Sequence, residues 1–416
     1  MGRDALRRAL TLTVLVLSGE SIYLLPYALR RDYSGTLIDV LDLGSEASLG
    51  AVYSFYGALN VVAYLLGGWL ADVISPRVLL PLSLTLTAAG GAWLAAGPTS
   101  AAALYGLFAL WSFSTILTFW AALVKATRSL GGSHAQGRAF GALDGGRGLV
   151  AAAAASVGVV AFAWAGEGAA GLRAVIALYA GLCLVAAVGS GLVLEGGGGG
   201  RREVSGSVRA RLYSVMGRPR VWLLGGIIFC AYSAFYGTYY VAGFARVAYG
   251  QSDTAAAALS ANVTWIRALT PWVAGVVADR LSTQRVVAFA FAVLIATFAS
   301  MALLPPAALP VLAAQAAVVG AAVFALHGVY YALLAEGGLP RGLTGTAVGL
   351  VALIGYAPDV LTPYLWGRLL DAFPGALGYR LLFGSLGAAA GVGLLLTALH
   401  RPAPASPNEH PRSLPA

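Results

Sequence analysis

Charge is scarce in this chain. Only 10% of its 416 residues are Asp, Glu, Lys or Arg, while 59% are hydrophobic. A soluble domain carries roughly a quarter charged residues to cover its water-facing surface, so an ordinary soluble fold is excluded and a membrane is left as the solvent. Cysteine is scarcer still. Cys183 and Cys230 both sit in apolar runs, which excludes disulfide staples and cysteine-metal clusters. The four histidines are scattered and form no zinc or iron pattern. No phosphate-cradling loop of the form GxxxxGKS or GxxxxGKT occurs, and no glycine cluster follows a strand as a dinucleotide loop would. No nucleophile–base constellation stands out. The expectation is a chain with no cofactor, no metal and no bond-making site.

What the chain does have is apolar runs along its whole length. About 20 helical residues cross the roughly 30 Å of hydrocarbon in a bilayer. Runs of that size lie near 9–29, 48–71, 78–97, 101–123, 139–163, 171–194, 221–242, 254–277, 286–304, 311–334, 345–366 and 381–399. The expected class is an all-α polytopic membrane protein with twelve transmembrane helices. Its 54 glycines would be poor for soluble helices, but small residues let membrane helices pack closely. The opening MGRDALRRALTLTVLVLSGE reads as a span rather than a cleaved signal, because no small-residue cleavage site follows and Glu20 lies inside the run.

The longest connection, 195–220, begins EGGGGGRREVSGSVRARLYS. Its glycines make a flexible cytoplasmic linker and its arginines suit an amphipathic segment at the inner membrane face. It separates residues 1–194 from residues 221–400, six spans each. The tail 401–416, rich in proline and polar residues, is expected to be disordered.

Basic residues orient the chain. With the N-terminus inside, eighteen fall on the cytoplasmic side, six on the outer side (Arg30, Arg31, Arg173, Arg246, Arg368 and Arg380), and Arg147 and Arg267 within spans. That is the positive-inside bias, and it puts both termini in the cytoplasm. The net charge of +9 is thus an orientation signal. Spread over short inner loops, it does not read as a nucleic-acid surface.

Two inner loops repeat a theme: GGWLADVISPR over Gly67–Arg77 and GVVADRLSTQR over Gly275–Arg285. Gly68, Asp72 and Arg77 in the first correspond to Gly275, Asp279 and Arg280 or Arg285 in the second. Glycine permits close helix approach. Aspartate can accept hydrogen bonds at a helix N-terminus or pair with arginine, a contact that holds one gate conformation and releases in the other.

With twelve spans, a long central loop and this glycine–aspartate–basic loop in each half, residues 9–399 resemble the major facilitator superfamily. The match is imperfect. Val73 stands where a basic residue is usual, Ser75 where a second glycine is, and Gln284 where the final basic residue is. Tyr53–Asp72 and Glu336–Asp371 also look like a little-characterised bacterial subgroup of sugar or organic-acid transporters. The resemblance implies two pseudo-symmetric six-helix bundles rocking around a central cavity, in a cytoplasmic-membrane carrier with alternating access.

Ionisable side chains inside spans are costly and mark the interior. Glu20 lies near mid-membrane in the first span, with Tyr23 and Tyr27 at helical spacing after it. Tyr53, Tyr56, Asn60 and Tyr64 share one face of the second span. Tyr232, Tyr236 and Tyr239 make a similar stripe in the seventh, and the tenth carries His327 and Tyr331, with Glu336 at its end. In GYAPDVLTP, Asp359 lies between Pro358 and Pro363, which can interrupt the helix. The tyrosines, Asn60 and Arg267 are substrate-binding candidates. Glu20, Asp144, His327, Glu336 and Asp359 are proton-coupling candidates, and Arg147 belongs with the gating residues near the inner edge. The planar donor fork of Arg267 suits a carboxylate, so the expected cargo is a small polar organic anion. A salt bridge from Arg267 to Asp359, Glu336 or Asp144 is the structural alternative. A neutral-sugar carrier is the runner-up, followed by a receptor that binds without transport. Expected partners are the solute, protons and membrane lipid, with the chain acting as a monomer.

Overall fold

The computed structural model describes residues 3–98, 100–131, 136–194, 213–306, 308–333 and 344–400. Most of the expected linker, the tail and Glu336 therefore lie outside the described residues. All regular structure among the described residues is helical. In the first half it comprises α1 (Arg3–Tyr23), α2 (Leu29–Val40), α3 (Glu46–Val73), α4 (Pro76–Ala96), α5 (Ala101–Ser112), α6 (Ala121–Gly131), α7 (Gln136–Trp164) and α8 (Gly168–Val193). The second half holds α9 (Pro219–Tyr236), α10 (Val241–Tyr249), α11 (Asp253–Ile266), α12 (Thr270–Arg280), α13 (Thr283–Leu303), α14 (Leu309–Val329), α15 (Thr344–Gly355), α16 (Pro358–Ala372) and α17 (Ala376–Leu399).

Nine helical runs among the described residues are long and apolar enough to cross a membrane, or ten if the bent pair Glu46–Tyr64 and Leu66–Val73 is one span. Two other expected spans are broken. Proline explains both breaks, since it donates no N–H and its ring clashes with the carbonyl four residues earlier. Pro271 meets the carbonyl of Arg267 in this way, and α11 ends at Ile266, directly before it. Pro358 opens α16 just after α15 ends at Gly355, whereas Pro363 is accommodated inside α16.

The first span is longer than the 9–29 expected. A π-helical turn at Leu24–Ala28, which contains Pro26, joins α1 to α2, and the apolar run extends over Leu6–Val40. Arg30 and Arg31, expected in an outer loop, therefore lie on a continuing helix, with Arg30 buried.

The hydrophobic cores divide where the linker divides the sequence. Two clusters gather residues up to Leu194, one of them joined by Ala257, and a third gathers residues from Val215 onward; Tyr27 packs against clusters of both halves. Large apolar side chains such as Trp164, Leu192 and Phe289 are exposed, as a lipid-facing surface requires.

Glycine makes the principal seam between the halves. On α3, a Cβ at Gly50 would collide with the backbone of Pro363 and one at Gly57 with the backbone of Asp359, while Gly367 of α16 faces the backbone of Glu46. The α7–α11 crossing is similarly close, with Gly148 against Ala268. Polar contacts between halves gather at the end opposite the Asp72 loop. The carboxylate of Asp371 accepts from the N–H groups of Glu46 and Ala47, each at 3.0 Å, capping α3 from the other half. Thr36 donates to Asp253 at 3.1 Å and Ser260 to Asp32 at 2.6 Å. Thr254 donates to Glu167 at the same end.

Candidate functional site

Two polar centres lie between the halves. The first is built on Glu20, only 5% exposed. Arg267, at the proline-induced break after α11, reaches it with both terminal nitrogens: Nη1 to Oε1 at 3.0 Å and Nη2 to Oε2 at 3.3 Å. Arg147 of α7 places Nε 3.2 Å from Oε2 and donates to the Gly19 carbonyl at 2.9 Å. Its guanidinium lies 5.5 Å from the Tyr23 ring and 5.9 Å from Trp120. One carboxylate thus serves two guanidiniums, one from each half. Asp144 is a marginal member, 3.7 Å from Arg147 with its side chain 62% exposed.

Arg267 pairs with Glu20, not with Asp359 or Asp144, the expected structural partners, and this pairing occupies its donor fork. Arg147 lies beside Glu20, because the close α1–α7 packing brings its side chain under Gly19.

The second centre is aromatic. Tyr53, Tyr236, Tyr239 and Tyr240 surround Arg30, which is 5% exposed. Its guanidinium lies 4.5 Å over the Tyr53 ring and 5.8 Å from each of Tyr236 and Tyr239, and Nη2 donates to the Tyr240 hydroxyl at 3.2 Å. Tyr236 donates to Asp359 at 2.6 Å. Tyr232 stacks on His327 with ring centroids 5.8 Å apart, and Tyr331 donates to Tyr356 at 3.2 Å. From the first half, Asn60 donates to the Tyr27 hydroxyl at 3.3 Å. Three buried atoms around this centre have no hydrogen-bond partner among the described residues: Arg30 Nη1, Asn60 Oδ1 and His327 Nε2. Buried polar groups are rarely left so, and such atoms are available to a polar ligand.

Most of the expected site residues converge on these centres. The Tyr56 hydroxyl lies 2.8 Å from that of Thr115 and its ring meets the Tyr27 ring edge-on with centroids 5.5 Å apart, while Tyr64 is 47% exposed. Arg30 was missed, although Tyr23, Tyr27 and Arg30 follow at gaps of four and three, the spacing of one helical face. Reading the Arg-Arg-Asp triplet as a loop concealed that signal.

The repeated loops look different in three dimensions. Asp72, Arg77, Asp279, Arg280 and Arg285 are exposed and make no side-chain hydrogen bond or ion pair among the described residues. Among the described residues, a Cβ at Gly68 or Gly275 would meet nothing within 4 Å. At Gly67 such an atom would lie 2.9 Å from the Leu117 carbonyl. Lys125 holds the first loop by donating to the Ala71 carbonyl at 2.6 Å. In the second, Gln284 donates to the carbonyls of Thr397 and His400, both at 2.8 Å, and ties down the end of α17.

Comparison with known proteins matches residues 10–363 to the family model described as Major Facilitator Superfamily. Among curated proteins, the chain is 26% identical over 382 residues to the inner membrane protein YihN of Escherichia coli, covering 89% of this chain and 90% of that one. It is 24% identical over 410 residues to the inner membrane protein YqcE of the same organism, covering 96% of each. Among solved structures, a mutant of the nucleoside transporter NupG superposes with a TM-score of 0.76 at 15% identity, covering 94% of this chain and 99% of that one. A bacterial homologue of the human lysosomal transporter Spinster, inward-facing and unoccupied, gives 0.72 at 15% identity, covering 97% and 99%.

Proposed function

The chain belongs to the major facilitator superfamily, and on that premise we propose that its cargo is a small polar organic anion, such as a sugar acid or another carboxylate. As a member of that family it is a secondary transporter with an alternating-access fold, and not an enzyme. The full architecture in this reading has twelve spans in two six-helix bundles, residues 1–194 and 221–400. The broken pairs α11–α12 and α15–α16 complete the ten longer spans. The positive-inside bias and the two inner-membrane relatives support a place in the bacterial cytoplasmic membrane with both termini inside.

One observation carries the choice of an anion. Arg147 and Arg267, from opposite halves, share the one buried carboxylate of Glu20, and Asp144, 3.7 Å from Arg147, is largely exposed, so the buried part of the first centre holds more positive than negative charge. Burying such an excess is costly unless something compensates it, and an anionic cargo does so. Its arrival also gives Arg267 an alternative partner, so the halves can part without abandoning a buried charge. Glu20, relieved of one of its two guanidinium partners in that exchange, is the leading coupling residue, with Asp359 and His327 in the second centre. The sidedness of the polar contacts, gathered opposite the Asp72 loop, supports a carrier closed on its outer face.

The neutral-sugar reading has its own support in the tyrosine hydroxyls and the unpartnered Asn60 Oδ1. The nucleoside carried by the structurally similar NupG supports it as well. Counterflow in proteoliposomes decides between the two. Vesicles loaded with unlabelled sugar acids should drive uptake of labelled sugar acid without ATP, whereas vesicles loaded with neutral sugars should not. Exchange of neutral sugars alone overturns the anionic reading, and exchange of nothing across a broad panel of both overturns transport.

A further inference from the structure

Resting on the organic-anion reading, we infer that Arg30, and not Arg267, receives the negative group of the cargo, and that the cargo is a hydroxylated monoanion. Other buried or part-buried arginines near the seam have a carboxylate in contact: Arg31 has Asp32, Arg147 and Arg267 have Glu20, and Arg246 has Asp253. For Arg30, no carboxylate oxygen among the described residues lies within 4.0 Å. The aromatic faces and the Tyr240 hydroxyl offset only part of the cost of burying it, and Nη1 has no hydrogen-bond partner among the described residues. The fold carries an uncompensated cation where an incoming anion can neutralise it.

The side chains around Arg30 explain how the contact acts on the carrier. Arg30 and Tyr53 belong to the first half, and Tyr236, Tyr239 and Tyr240 to the second. An oxyanion held by Nη1 therefore touches both halves, as a ligand must if its binding is to favour one arrangement of them over another. The surroundings also limit its charge. Asp359, engaged by Tyr236, stands outside ion-pair distance but would repel a second negative group. Asp359 and the unpartnered Asn60 Oδ1 are acceptors that want hydroxyl donors. Tyrosine rings suit the C–H faces of a sugar-like body. One negative group on a polyol body meets all of these demands.

The test uses the full chain purified into nanodiscs, with D-glucuronate and D-gluconate as anionic probes and D-glucose as the neutral one. Affinity is read from ligand-dependent thermal stabilisation. Wild type should be stabilised by at least one of the two anions more than by glucose. Arg30→Met should lose about tenfold or more in affinity for that anion, as expected for a hydrogen bond to a charged group, while its response to glucose is unchanged. Arg30→Lys should fall between, keeping the charge without the fork. Ligand-free Arg30→Met should melt no lower than wild type, since it removes an uncompensated buried charge; this readout needs no ligand. A lower melting point with anion affinity retained would make Arg30 structural and overturn the inference. So would the absence of stabilisation of wild type by either anion. If Arg267→Met abolishes anion counterflow and Arg30→Met does not, the anionic reading stands and the assignment to Arg30 falls. If wild type exchanges glucose and neither anion, the reading itself falls.

Discussion

Glu20 and Arg267, 247 positions apart, meet as a two-point ion pair at 3.0 and 3.3 Å across the seam between the halves. The pair is a bond between two bodies that must move relative to each other in the transport cycle. Arg147, on the same side of the seam as Glu20, holds the carboxylate whether or not Arg267 is present. That asymmetry makes Arg267 the member that can leave.

The first prediction follows from it. Glu20→Gln strands two part-buried guanidiniums and should cost at most about 3–5 kcal/mol, the range for breaking a buried ion pair. Arg267→Gln leaves Glu20 with Arg147 and should cost less. Thermal unfolding of the two single variants and the double variant should give a coupling of about 1–3 kcal/mol. Strictly additive losses would mean that the pair contributes nothing.

Proton coupling makes a separate prediction about the same carboxylate. In lightly buffered proteoliposomes, the anion that scores in counterflow should drive proton movement with wild type. Glu20→Gln should keep cargo exchange and lose that movement. Wild-type uptake that continues unchanged after both the pH and voltage gradients are collapsed would rule out obligatory driving by them.

Glycine at the seam gives a paired prediction. Gly57→Ala puts a methyl group onto the Asp359 carbonyl and should cost about 1–3 kcal/mol in stability, along with much of the transport rate. Gly68→Ala adds the same methyl group with nothing within 4 Å and should be near neutral. Equal effects in stability and uptake assays would refute the claim that the α3–α16 crossing depends on backbone approach.

The last prediction concerns the latch opposite the Asp72 loop. Asp371→Ala removes an acceptor that caps α3 at Glu46 and Ala47 from the other half. A lost cap costs about 0.5–2 kcal/mol, and each 1.4 kcal/mol is about tenfold in an equilibrium. Spin labels at Ser45 and Phe373 should therefore report a larger separated population by pulsed electron resonance. An unchanged distance distribution would show that this cap does not bias the opening.

Composition and run length alone determined the membrane class and most of the long apolar helices. Those properties are local: hydrocarbon thickness sets the length of an apolar run. Pro358 also announced its break, because the missing N–H acts four residues away on the same chain, whereas the break before Pro271 falls inside 254–277, expected as one span. Even the stripes bearing Tyr27, Tyr53 and Tyr236 were visible as helical faces. What only the tertiary structure decided is which charge answers which. Nothing near Arg267 in sequence indicates that Glu20 occupies its fork. Nothing in Arg-Arg-Asp reveals that a helix runs on past Pro26 and buries Arg30 against rings from the other half. Gly57 and Gly68 are the same residue on the same helix, yet only one has another backbone against it. Pairing, burial and close approach depend on atoms brought together from distant parts of the chain, and helix packing settles those meetings.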